Sequence, residues 1–132
     1  MTAYKTKAFA RWAKKVGLND TVLCDAIQEM ERGLYEADLG GGVLKKRIAR
    51  SGQGKRGGFR TLIATNKGDK WFFMFGWPKN ERSNINDREE AALKAMAANL
   101  LAMKPTDLSI VQAQGEILEV TCHEQKKEIS HP

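Results

Sequence analysis

The sequence predicts an α+β fold in which two N-terminal helices pack on an antiparallel sheet of three to four strands and a C-terminal helix follows. Three observations predict it. Apolar residues recur at helical spacing through the first 34 positions, the pattern changes to that of strands between positions 43 and 76, and helical spacing returns after Asn86. The chain has 132 residues, which fits one domain of ordinary size. Its 42% hydrophobic content can build a core without disulfides or metals.

The elements follow in order. Tyr4 and Lys5 fit a short first strand. Phe9, Trp12, Ala13 and Val16 share one helical face, and Gly17 ends that helix. Asn19 or Asp20 can cap a second helix, whose stripe is Val22, Leu23, Ala26, Ile27, Met30 and Leu34. Gly40-Gly41-Gly42 belongs to the loop after it. Val43 to Ala49 is the next strand, Ser51 to Gly58 a glycine-rich basic loop, and Phe59 to Thr65 another strand. Asn66 to Asp69 turns the chain into Lys70 to Gly76, an unbroken apolar run suited to a central strand buried on both faces. Asn86 caps a third helix, with Glu89 or Glu90 in its first turn and Leu93, Met96, Ala97, Leu100 and Leu101 on its apolar face. Pro105 stops it. A short helix near 107–112 and a strand near 116–120 fit the remainder, and 121–132 reads as a disordered tail.

Charge is placed unevenly. The net charge is +6, yet residues 105–132 carry −3, so residues 1–104 carry +9. From Gly41 to Gly68 there is no acid, while Lys45, Lys46, Arg47, Arg50, Lys55, Arg56 and Arg60 place seven cations in 16 positions. A face kept cationic only for solubility normally mixes signs; this pattern instead fits a surface for nucleic-acid phosphates. Strand alternation sends Lys45 and Arg47 to one side, where Arg60 can join them. Lys46, Arg50, Lys55 and Arg56 extend the nucleic-acid set. Phe59 and Trp77 can stack on bases, although core packing is the commoner use of such rings.

No metal or cofactor is expected. Cys24 and Cys122 match no metal or redox spacing and read as two free thiols of a reducing cytoplasm. The basic region lacks a carboxylate cluster, and the only histidines, His123 and His131, fall in the expected tail. Cleavage of RNA through its own 2′-hydroxyl needs a base, charge stabilisation at the phosphorane and a proton for the leaving oxygen. On this chain those tasks fall to lysine and arginine, with a crowded lysine or Glu81 as base and arginines on the phosphate. No apolar run is long enough to span a bilayer.

Three segments together resemble a known family. Gly40 to Arg50 (GGGVLKKRIAR), Gly52 to Ile63 (GQGKRGGFRTLI) and Lys79 to Ile85 (KNERSNI) are similar to RelE/HigB-type toxins of bacterial type II toxin–antitoxin systems, within the RelE/ParE superfamily. The resemblance covers roughly residues 3–103, so 1–104 would form the toxin domain and 105–132 an extension. It implies a metal-independent endoribonuclease that cuts mRNA on the ribosome in the cytoplasm, and a cognate antitoxin with a helix-turn-helix domain. Carried over by motif, the functional residues are Lys45, Arg47, Arg60, Lys79 and Arg82, to which Glu81 is added as a candidate base. The late tyrosine of several relatives has no counterpart, since Tyr4 and Tyr35 are both early, and Asn80 stands where some have arginine. Two other functions fit such a chain, a non-enzymatic gyrase inhibitor on the same fold and a plain nucleic-acid-binding module.

Overall fold

A computed structural model describes residues 2–50 and 58–122. The basic loop at 51–57, with Lys55 and Arg56, and the expected disorder of 123–132 lie outside the described residues.

Strand β1 (Thr2–Thr6) leads into helix α1 (Lys7–Val16). The Thr6 hydroxyl accepts from the Phe9 amide at 3.1 Å, and Gly17 closes the helix in the left-handed region at φ 81°. Asn19 caps α2 (Asp20–Glu31) in the same way, accepting from the Val22 amide at 3.0 Å. Strands β2 (Ala37–Gly40) and β3 (Val43–Ile48) form a hairpin that turns through Gly40, Gly41 and Gly42, all at positive φ. Strands β4 (Phe59–Thr65) and β5 (Lys70–Pro78) form a second. Helix α3 (Asp87–Ala102) starts in a capping box between Asn86 and Glu89. Helix α4 (Pro105–Ala113) and strand β6 (Ile117–Glu119) complete the described chain.

The strands join one sheet in the order β2-β3-β4-β5-β1-β6. The expectation of three to four antiparallel strands is corrected to six in a mixed sheet, because β1 pairs with β5 in parallel. An apolar strand in the middle of a sheet needs hydrogen-bond partners along both edges. Strand β4 supplies one, and β1, returned by the long connection a parallel pair requires, supplies the other. Strand β2 escaped the sequence pattern because Ala37-Asp38-Leu39-Gly40 is short and holds an acid and a glycine. The short helix and the strand expected after the third helix are present as α4 and β6. Pro105, expected only as a stop, is the first residue of α4, a position where its missing N–H costs nothing.

Two cores form, one on each face. Leu23, Ile27, Phe9 and Ala13 of the first two helices cover Leu44, Ile48, Phe59, Ile63 and Phe73. Leu93, Ala97 and Leu100 of α3, with Leu108 of α4, cover Val43, Leu62, Phe72 and Met74. Trp71, Phe72 and Phe73 are fully buried, as a central strand requires. A register shift, with Leu62 opposite Phe75 and Ile63 opposite Phe73, leaves Met74 as an extra residue and rephases the strand. Trp77 consequently joins the core under α3, while Gly76 meets the Trp12 ring of α1.

The two cysteines are not free thiols: Cys24 and Cys122 form a disulfide, with Cα atoms 5.6 Å apart. Tertiary pairing makes the bond possible. Strand β6 lies against β1, the Val120 amide donates to the Ala3 carbonyl at 2.8 Å, and the Thr121 amide donates to Asp20 Oδ2 at 2.9 Å. These contacts carry the C-terminal segment across the start of α2 to Cys24.

Reduction of this bond should cost about 2–4 kcal/mol, because it reopens a loop of nearly the whole chain. A thermal melt with and without dithiothreitol should show a drop of about 7–14 °C, absent in the Cys24→Ser/Cys122→Ser variant. Gly76→Ala should destabilise by about 1–3 kcal/mol through overpacking, since its Cβ would stand 2.3 Å from Trp12 Cζ3. Trp12→Leu in the same chain should recover part of that loss in a denaturant titration.

Candidate nucleic-acid interface

Register decides which cations meet. Strand β3 pairs Arg47 with Arg60 and Lys45 with Leu62, and β4 pairs Arg60 with Trp77. Directly opposed residues share a face, so Arg47, Arg60 and Trp77 form one row across three strands, on the side covered by α3. Lys45 stands two residues from Arg47 on the same side. The loop after β5 closes over the end of this row. The Lys79 amide donates to the Gly58 carbonyl at 2.9 Å, and Lys45 Nζ donates to Asn84 Oδ1 at 3.3 Å. The Arg82 guanidinium lies 5.8 Å from the Trp77 ring centroid.

The members of this cluster differ in exposure. The Arg47 side chain is 46% exposed, whereas that of Arg60 is 5% exposed. A buried guanidinium needs a counter-charge, and Glu36 supplies it. Its Oε1 lies 3.1 Å from Arg60 Nε, and its Oε2 lies 3.8 Å from Arg47 Nε. The sequence reading missed Glu36 because it precedes the unrecognised strand β2; its one legible signal is that it stands just before the acid-free basic stretch. Arg82 is held by Glu89 through paired hydrogen bonds, one of 3.1 Å to Oε2 and a second to Oε1. Arg82 Nε also donates to the Asn84 carbonyl at 3.1 Å.

The Arg82 guanidinium, and after it the Asn86 amide, hold the Glu89 carboxyl below the usual carboxylate range; Glu89 in turn holds Arg82 above its ordinary value. A depressed carboxylate contributes its stability above the ordinary carboxylate pKa and loses it as pH falls through the folded value. The anchor of the 79–86 loop therefore stays charged throughout the neutral range. Trp77 Nε1 is buried without a hydrogen-bond partner among the described residues.

Other expected site residues lie elsewhere. Lys46 alternates to the opposite face, where it is buried, binds Glu29 at 2.5 Å and donates to the Leu34 carbonyl at 2.9 Å. Its position in the nucleic-acid set is corrected: it ties β3 to α2. Phe59 is 2% exposed in the core beneath α1, edge-on to Trp12 at 5.5 Å, and cannot stack on a base. Arg50 lies over the Phe59 ring at 4.8 Å. Lys79 and Glu81 flank the closing loop, and neither is ion-paired among the described residues. Glu81 is exposed, and its amide donates to the Pro78 carbonyl at the strand end at 3.1 Å. No group of three or more His, Cys, Asp or Glu among the described residues could hold a metal ion. No helix among them is long and apolar enough to cross a membrane.

Residues 1–120 match the family model described as RelE toxin of RelE / RelB toxin-antitoxin system. None of the curated proteins matches the chain.

The two faces should separate in mutagenesis. Lys46→Ala should lower stability by about 1–3 kcal/mol, because it strips the partner from Glu29 and from the Leu34 carbonyl, and should leave RNA affinity unchanged. Lys45→Ala should leave the melting temperature within about 2 °C and weaken RNA binding in a salt-dependent titration.

Proposed function

The chain belongs to the RelE toxin family, and we propose that it is a metal-independent endoribonuclease that cuts mRNA on the ribosome and so arrests translation in the cytoplasm. The observation that carries this reading is the convergence of Lys45, Arg47 and Arg60 beside the 79–86 loop, on one face, from three separate segments of sequence. A gyrase inhibitor needs no such cluster of phosphate-binding cations. The partner on this reading is a cognate antitoxin, and the resemblance to the HigB-type branch favours one with a helix-turn-helix domain.

The chemistry divides among the residues by exposure. Lys45 and Arg47 stand at the surface and meet the scissile phosphate first. Arg47 can take two phosphate oxygens in its planar fork, and the Lys45 ammonium can give a proton to the leaving 5′-oxygen as the P–O5′ bond breaks. Arg60 lies behind them and stabilises charge that accumulates on the phosphorane. Glu36 fixes the two guanidinium groups and gives a carboxylate beside them to accept the 2′-hydroxyl proton, with Glu81 at the end of β5 as the alternative base. Arg82 acts as a clamp: its hold on Glu89 and Asn84 keeps the loop where Asn84 meets Lys45.

Purified protein incubated with mRNA, with and without ribosomes, tests this reading by primer extension of the cut ends. Discrete cuts should appear in the reaction that contains ribosomes. Arg47→Ala should slow cleavage about 10²-fold or more, the scale of one lost charge-stabilising donor. Lys45→Ala/Arg60→Lys should abolish growth arrest while keeping the native circular dichroism spectrum. Full toxicity of that double variant, or arrest of growth without cut mRNA, would end the nuclease assignment.

A further inference from the structure

A groove of about 440 Å³ runs between α1, α3, α4 and β6, over Met74 of β5. Its floor is apolar. Met74, Leu100 and Ile117 are buried beneath it, and the flexible side chains of Met96 and Met103 border it. Met96 is 39% exposed, although Leu93, Ala97 and Leu100 of the same helix are buried. One rim carries Lys7 and Arg11, a single helical turn apart on α1, with Glu116 the one acid in the lining, so the rim keeps a net positive charge. Both are exposed, and neither is ion-paired among the described residues.

Local helix stability does not account for these cations. Lys7 sits in the first turn of α1, where the positive end of the helix disfavours a cation, and no acid in that turn offsets it. The cleavage face does not use them either, since α1 packs on the face of the sheet opposite the Arg47–Arg60 row.

We propose that this groove is the seat of the antitoxin, which inserts a segment with apolar side chains on one face and carboxylates along its edge. The proposal rests on membership in a family whose toxins pair with an antitoxin. Methionine side chains adapt to an incoming apolar surface, and an amphipathic segment laid in a groove is a common mode of recognition. Carboxylates set against Lys7 and Arg11 fix its register and speed encounter. An RNA backbone would find no complement for the apolar floor. A second copy of this chain, docked about a twofold axis, would bring its own Lys7 and Arg11 to the same patch.

The test is calorimetric titration of the full-length chain with the antitoxin encoded beside it, using wild type, Met96→Glu and Lys7→Glu/Arg11→Glu. All three positions are exposed, and a thermal melt checks that each variant folds. Each variant should bind at least 10-fold more weakly. The charge reversal should lose more at low salt than at high salt, and both variants should cut mRNA as wild type does. If wild type binds and both variants bind equally well, the groove is refuted while the family's toxin–antitoxin pairing stands. If wild type binds no antitoxin, both fall. Unchanged antitoxin affinity with weakened ribosome binding would assign the patch to RNA, and loss of a self-association seen in wild type would assign it to a second copy; either result overturns the proposal.

Discussion

The structure depends on one constraint, the burial of β5 on both faces and along both edges. Trp71, Phe72, Phe73 and Met74 leave almost no surface to solvent, and each large side chain so buried contributes about 1.5–3 kcal/mol. Such a strand cannot sit at an edge or under a single layer. It requires helices above and below, which α1 with α2 and α3 with α4 provide. It also requires backbone partners on each side, and these fix the places of β4 and β1. The extra residue at Met74 then turns the end of the strand so that Trp77 aligns with Arg60.

From that alignment the cationic face follows. The hairpin of β4 with β5 and the pairing of β3 with β4 bring Arg47, Arg60 and Trp77 into one row, and the chain leaving β5 crosses the end of it. Cations held so close repel one another, and the fold answers with two carboxylates from outside the basic stretch. Glu36 holds Arg60 and Arg47, and Glu89, already part of the α3 capping box, holds Arg82. One carboxylate therefore caps a helix and anchors a loop. Arg47 is exposed at the front of the face, with half-buried Lys45 beside it.

Several elements were legible from sequence because their signals are local. The caps at Asn19 and Asn86, the left-handed Gly17 and the apolar stripes of α1, α2 and α3 depend on neighbours within one or two helical turns. The central strand was legible because an unbroken apolar run has few other uses. Strand β2 was not, because four residues of mixed polarity carry no period and its partner β3 defines it, whereas β6 falls within the strand expected near 116–120. The disulfide was hidden for the same reason. Its cysteines stand 98 positions apart, and only the return of β6 alongside β1 brings them within reach.

At the site, the sequence by itself determined that a dense, acid-free cationic stretch would lie on a strand pair and that Lys45 and Arg47 would share a side. Charge density and strand alternation are properties of adjacent residues. Only the tertiary structure decided which cations line the face with Arg60 and which face protein. Lys46 differs from Lys45 by one position, yet it is buried against Glu29, because α2 covers the side to which alternation sends it. Phe59 and Arg60 differ in the same way: one enters the core beneath α1, and the other joins Arg47 and Glu36. A sequence gives each strand residue a side, but which side a helix covers is set by packing between elements distant in the chain.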